Sequence, residues 1–224
     1  MTNLITPVST TELTWEWKRP LPEAKTASAP IWLKEIWELR GRVFAEGGRA
    51  GFLRADGSYA DEDTVDFYCY HLMVRLDGQL IGCLRSLPLL APQPGLVETL
   101  IGAEQVEQIL QGLGVNRALT LEAGRWVVAR EQAHRLLGKN VVAASWVMAR
   151  NLGYTMVICA TGTRDNQAVM AQRLGSRPIP GFDLIPSEVF NDQLMLLYTD
   201  LTNPSEKMLP LLEKMEQLLI SESA

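Results

Sequence analysis

Residues 119–152 read LTLEAGRWVVAREQAHRLLGKNVVAASWVMARNL, and the architecture can be worked out from them in both directions. Ala118–Ala129 carries Leu119, Leu121, Trp126, Val127 and Val128 and predicts a strand. Arg135-Leu-Leu-Gly138-Lys139-Asn140 predicts a loop, and Gly138–Leu152 a helix stopped by Gly153. Thr155–Ala160 then predicts a second strand, so the unit is strand, helix, strand. Upstream, Tyr70–Leu76 and Gln79–Leu87 flank Asp77-Gly78, a dipeptide that favours a type I′ turn and therefore an antiparallel hairpin. Leu13, Trp15 and Trp17 alternate with polar residues as a short strand. Trp32 to Phe44 has helical spacing, Gly47–Val65 is a long Gly- and Asp-rich loop, and Ile101–Leu113 predicts a helix. Downstream come a short helix over Asn166–Leu174, a strand over Leu194–Leu201 and an amphipathic helix opened by Asn203-Pro204. The expected class is mixed α/β (α+β): a central sheet both antiparallel and parallel, flanked by helices. A doubly wound fold does not fit, because a hairpin stands where crossovers would be needed, and no G-x-G-x-x-G follows a strand.

The chain has 224 residues, 47% apolar and 21% charged, with a net charge of −5. These values match a globular domain large enough to bury a core without disulfides or a structural metal. The 17 glycines and 12 prolines are too few for a fibrous or low-complexity chain. No apolar run reaches a membrane span, and no secretory leader is read at the N-terminus. The expected location is cytoplasmic. Cys69, Cys83 and Cys159 are expected as reduced thiols, with no metal site. The organisation expected is an N-terminal strand and loop (1–30), one central domain (31–202) and a C-terminal helix (203–224). Residues 1–11 are expected to be loose.

The acidic total speaks against a general nucleic-acid binder. Charge is unevenly spread, however. Between 130 and 177 stand Arg130, Arg135, Lys139, Arg150, Arg164, Arg173 and Arg177 against only Glu131 and Asp165. This basic island suits an anionic partner. A loop holding Arg135, Gly138 and Lys139 before a helix N-terminus offers free N–H groups and a positive dipole end, the chemistry that holds a pyrophosphate or phosphopantetheine. An ordinary strand-to-helix connection has the same local appearance.

Five blocks add to this: Arg40-x-x-Val43-Phe44, Asp63-x-x-Asp66, Leu84-Arg85, Glu122-Ala-Gly-Arg125-Trp126-Val127, and Arg135-x-x-Gly138-x-Asn140 followed by a strand and Asn166. Together they resemble the GNAT acyltransferases. In order and spacing over about residues 36–178 they resemble the acyl-homoserine lactone synthase and N-acyl amino acid synthase family. That resemblance implies a GNAT-like fold that splays apart the strands 119–129 and 154–160 to hold a donor pantetheine. It implies donor contacts at Trp126, Val127, Val128, Ala129, Arg135, Gly138, Lys139, Asn140, Cys159 and Asn166, with main chain near 127–129 polarising the thioester carbonyl. Arg40, Phe44, Asp63, Asp66 and Arg85 would border the acceptor; a structural ion-pair network would use the same charges. Glu122 would be the base that turns an acceptor ammonium into a nucleophile, or a partner of Arg85 or Arg125; Arg125 stands with it as catalytic.

The implied substrates are a small amine acceptor and acyl-CoA or an acyl carrier protein. The implied reaction is N-acyl transfer to an amino-acid-like metabolite. The alternatives are a lactone synthase using S-adenosylmethionine, a simple acetyl-CoA acetyltransferase and a non-catalytic acyl- or CoA-binding module. Three departures from the family pattern stand in the sequence. Asn140 replaces Gly or Ala, no Tyr occurs at 166–175, and the Trp expected after Phe44 is absent unless Phe52 serves. Remaining residues have plain readings: His134 solvated, His71 partly buried, and Val142, Trp146 and Ala149 as core. Trp15 and Trp17 would cover a sheet edge, and the last helix would pack or mediate self-association.

Overall fold

The computed structural model describes residues 12–24, 28–132 and 135–221. His134 and the stretch 1–11 lie outside the described residues, as does the side chain of Arg135. One eight-stranded sheet runs in the order β1-β2-β3-β4-β5-β8-β6, with β7 also paired to β8. Its nucleus is the expected hairpin. β2 (Tyr70–Leu76) and β3 (Gln79–Pro88) are joined by Asp77 at φ 50 and Gly78 at φ 80, the two positive φ angles a type I′ turn needs. β1 (Leu13–Lys18) adds antiparallel to β2. β4 (Thr120–Val128) adds antiparallel to β3 and parallel to β5 (Met156–Gly162). β8 (Asp192–Asp200) closes antiparallel on β5. The short strands β6 (Arg177–Pro178) and β7 (Ile185–Ser187) border β8.

Six α-helices are described, and they differ from the sequence expectation in three places. α1 (Ile31–Glu46) starts after Pro30, whose fixed φ and missing N–H suit an entry position. The helix expected over 101–113 is α3 (Ala103–Gly112), and an unexpected short helix, α2 (Leu96–Ile101), precedes it across Gly102, which takes φ 85. α4 (Arg135–Asn151) begins at Arg135, three residues before the expected start. α5 (Gln167–Leu174) ends at Gly175 as read, and α6 (Leu209–Ser221) begins later than Pro204.

Alternation along the strands divides the core. Leu121 and Val157 pack with Val141, Ala144 and Val147 of α4, against which Met208, Leu212 and Met215 also close. Met156 and Ile158 face the other way, onto Val97, Val106 and Leu110 of α2 and α3. Residues of opposite faces therefore meet wherever the sheet opens, and it opens at β4. The β3–β4 register passes from Arg85↔Gly124 to Cys83↔Val127, so β4 carries one extra residue and bulges at Arg125–Trp126. Arg125 adopts φ 52, a conformation costly for a side chain with a Cβ. On the other edge, β4–β5 pairing is recorded only from Thr120↔Met156 to Glu122↔Ile158, although both strands continue. Beyond Glu122 the parallel pair splays.

Candidate active site

The splay is flanked by two confluent spaces. A mixed cleft is bordered by Phe44, Arg49, Arg85, Glu122, Arg125 and Phe190. A more apolar chamber follows Val157, Cys159 and Thr161 of β5 toward Trp146 of α4. Both share Ala123–Trp126, Ala160 and Gln167. Gln167 spans the opening, its Nε2 donating to the Trp126 carbonyl at 3.1 Å. Among the predicted site residues, Glu122, Arg125, Trp126, Arg85 and Phe44 thus meet at the cleft, and Cys159 lines the chamber. Val142 and Trp146, read only as core, line the chamber too.

Glu122 is 4% exposed. Its carboxylate accepts the N–H groups of Leu96 at 2.6 Å and Val97 at 3.0 Å, capping the start of α2 from another strand. Gly95 makes this possible: a Cβ there would lie 2.1 Å from Glu122 Oε2. Burial pushes the Glu122 carboxyl up to about 7, against the N–H bonds and the Arg85 charge, which favour its ionised form. The alternative reading pairs Glu122 with Arg85 or Arg125; its hydrogen bonds go to main chain instead.

The charged constellation is a closed network of three arginines and three aspartates. Arg40 is fully buried and binds Asp66 Oδ2 at 2.6 Å, Asp61 Oδ2 at 2.8 Å and the Asp61 carbonyl. Arg85 binds Asp63 at 2.8 Å and Asp66 at 3.0 Å. Arg125 Nε lies 2.9 Å from Asp61 Oδ2, and its guanidinium sits 4.7 Å from the Phe190 ring centre. Gly41 lets the Ala60 backbone press against α1, where a Cβ would meet Ala60 N at 2.4 Å. Burial alone would raise the Asp66 carboxyl; the Arg40 and Arg85 guanidiniums outweigh it and hold it far below the usual range. Arg40 and Asp66, expected to border the acceptor, are buried and paired with each other and stand behind the cleft lining, where Arg85 reaches it. His71 is fully buried rather than partly so. Its Nε2–H donates to the Asp66 carbonyl at 2.8 Å, and burial pushes its pKa down to about 4.

The donor-side expectations are redistributed. Residues 135–140 are helix, not loop: Leu137 and Val141 continue a buried helical stripe. Gly138 is buried against the Trp126 ring, which a Cβ would meet at 3.3 Å, so this glycine serves packing. Lys139 is exposed and Asn140 half-buried, both on α4. The Ala129 N–H is spent on Ile81 O at 2.7 Å and is not open to a carbonyl. Val127 and Val128 are in register with Cys83 and Gly82, whereas Arg125 and Trp126 have no register partner on β3. Asn166 stands at the N-terminus of α5 with φ 58 and no side-chain cap.

Sequence reading missed Asp61, Arg49, Phe190, Asp192 and Gln167. Arg49 donates to the Phe190 carbonyl at 2.8 Å and pairs with Asp165 at 2.9 Å and Asp192 at 3.3 Å, strapping the 47–52 segment across the cleft. Phe52 stacks behind Phe44 and Phe190, at 4.9 and 6.0 Å between ring centres. It backs the aromatic wall instead of lining the cleft, so the missing Trp has no direct replacement in that position.

A central sheet bulged and splayed at β4, with helices on both faces, is a GNAT-like fold, and a family model described as an acetyltransferase (GNAT) domain matches residues 39–140. Solved structures agree over nearly the whole chain. The chain resembles BjaI, described as a CoA-dependent acyl-homoserine lactone synthase, with a TM-score of 0.62 at 15% identity, covering 92% of this chain and 89% of that one. It resembles the lactone synthase LasI with a TM-score of 0.61 at 15% identity, over 88% and 94%. It resembles FeeM, an N-acyl amino acid synthase from uncultured soil microbes, with a TM-score of 0.62 at 11% identity, over 87% and 93%. No curated protein sequence matches. No helix among the described residues is long and apolar enough to cross a membrane.

Proposed function

We propose that the protein is an N-acyltransferase that moves an acyl group from a pantetheine thioester, on CoA or on an acyl carrier protein, to the amine of a small amino-acid-like acceptor. One observation carries this reading: the junction of the cleft and the apolar chamber at the β4 bulge, with the buried carboxylate of Glu122 beside it. The chamber takes the acyl group and the cleft takes the acceptor. BjaI also has a structure described as containing SAM and isopentyl-CoA, which supports an acyl-thioester donor here.

Glu122 takes a proton from the acceptor ammonium. The amine attacks the thioester carbon, the C–N bond forms and the C–S bond breaks. The second amine proton leaves with the thiol. The main chain of the bulge faces the carbonyl, and Asp61 and Phe190 fix the Arg125 side chain that holds the bulge. Arg85 borders the cleft beside Asp63 and Asp66, and its guanidinium is where a carboxylate-bearing acceptor would be oriented.

The test is thiol release with mass detection. The protein is incubated with acetyl, octanoyl and palmitoyl donors on both carriers, together with pooled amino acids and S-adenosylmethionine. A new N-acyl mass that vanishes in Glu122→Gln supports the proposal. A lactone product would identify the homoserine lactone reaction instead, and donor binding without any new product would leave a non-catalytic binding module.

A further inference from the structure

With the acyl group on one side and the acceptor on the other, the thioester has to stand where chamber and cleft meet. Six residues border both spaces: Ala123, Gly124, Arg125, Trp126, Ala160 and Gln167. Three of them carry polar side chains, and two of these are engaged. The Arg125 guanidinium is held by Asp61 and the Phe190 ring. The Trp126 indole lies with a ring edge against Gly138 of α4. Gln167 is the third. It is half-buried in the first position of α5, and its Nε2 donates to the Trp126 carbonyl at 3.1 Å. Trp126 has no register partner on β3 and lies beyond the last β4–β5 pair, so the ladder leaves its carbonyl to Gln167. A carbonyl only accepts, which turns the amide nitrogen toward Trp126. The second N–H of that nitrogen has no partner among the described residues.

We infer that this second N–H of Gln167 donates to the sulfur of the departing thiolate, which makes Gln167 a catalytic residue on the donor side. The inference rests on the acyl-transfer reading and deepens it. As the acceptor nitrogen attacks, the C–N bond forms, the C–S bond breaks and the electron pair of the C–S bond goes to sulfur. A thiolate left bare at the mouth of an apolar chamber is costly. Glu122 gives no help, because it is the proton acceptor. The Gln167 amide stabilises the sulfur charge by hydrogen bonding and keeps its own proton. The second amine proton then neutralises the sulfur, and the free thiol leaves. The bond to Trp126 fixes the orientation of the amide before the donor arrives, so no reorganisation is needed at the moment of cleavage.

The test reads the thiol itself. CoA and a phosphopantetheine-bearing acyl carrier protein, both without an acyl group and isotope-labelled at the methylene beside sulfur, are saturated with the full chain and titrated with pH by NMR. Gln167→Met keeps the length of the side chain and removes both donors. The pKa of the bound thiol is expected to rise in this variant by about one to two relative to the wild type. Gln167→Glu raises it further, because an ionised carboxylate repels the thiolate. In turnover, Gln167→Met loses about 10²-fold in kcat, while the donor KM stays within about three-fold. A side chain that only held the Trp126 carbonyl would lower activity and leave the thiol pKa unmoved. If Gln167→Met does not fold, judged by thermal unfolding, Gln167→Glu decides. A bound thiol that titrates alike in the wild type and the variants overturns the role of Gln167 and leaves acyl transfer standing. Failure to bind either thiol carrier overturns the acyl-transfer reading and this inference with it.

Discussion

Glu122 combines two demands that usually separate. It caps α2 by accepting two N–H bonds, and it lines the cleft next to Ala123, one of the residues the cleft and chamber share. Burial pushes its carboxyl up to about 7, so near neutrality it exists in both forms and can accept a proton without being a strong acid. The active form is the carboxylate. Under the proposed mechanism kcat/KM therefore rises with pH through about 7. Glu122→Gln, which keeps one acceptor for the α2 N–H groups, loses about 10²–10⁴-fold in rate and loses that limb of the profile. A variant that stays slow yet keeps the limb would assign the proton to another group. Glu122 was legible in the sequence because it sits in a block with Arg125 and Trp126. Asp61 was not, because it lies in a loop with no periodicity. Charge balance was the available signal: once Glu122 is taken as the base, Arg40, Arg85 and Arg125 face only Asp63 and Asp66, one carboxylate short.

Elements place these residues more than their own chemistry does. The α2 start is set against Glu122 by Gly95, whose backbone at φ −77 and ψ −179 is open to any residue. Gly95→Ala therefore introduces no backbone strain, only a methyl where the carboxylate now lies. The expected result is a displaced Glu122, a lost cap worth about 1 kcal/mol and a fall in activity in the same direction as Glu122→Gln. Unfolding midpoints and thiol-release rates read the two effects separately, and unchanged activity would mean that the carboxylate position is not critical. Sequence pattern served well where one local signal dominates. The Asp77-Gly78 turn, the α1 stripe and the strand–helix–strand order of β4, α4 and β5 stand as read. It failed where tertiary contact overrides the local signal. Gly138 looked like a phosphate-loop glycine, yet it gives way to Trp126 in the second turn of α4. Arg125 takes the positive φ although Gly124 precedes it, because Asp61 and Phe190 hold its side chain in place. β6 and β7 have two and three residues, too few for any period to register.

At the scale of the molecule, the buried titrating groups oppose one another. Glu122 is raised in the folded state from about 4.5 to about 7. The native state binds its proton more tightly than the unfolded chain, so this group stabilises at low pH and the contribution is lost as pH rises through that window. His71 is lowered from 6.5 to about 4. Here the unfolded chain binds the proton more tightly, so stability is gained as pH rises over nearly the same range. Between about pH 4.5 and 6.5 the two slopes, each near 1.4 kcal/mol per pH unit at full effect, nearly cancel. Toward lower pH the protonation of Asp63 and Asp66, both lowered in the fold by their arginine partners against the effect of burial, costs stability, opposed only by Asp61, whose carboxyl burial pushes up. Urea unfolding of the wild type should then give nearly equal stability at pH 5 and pH 6.5, followed by a steep loss toward pH 3. Glu122→Gln removes one of the two opposing groups and leaves His71 alone, so the variant should be clearly less stable at pH 5 than at pH 6.5. A wild type that already has the variant's slope would mean that Glu122 does not titrate near neutrality, and with that the source of the proton acceptor at the β4 bulge would have to be sought among other groups.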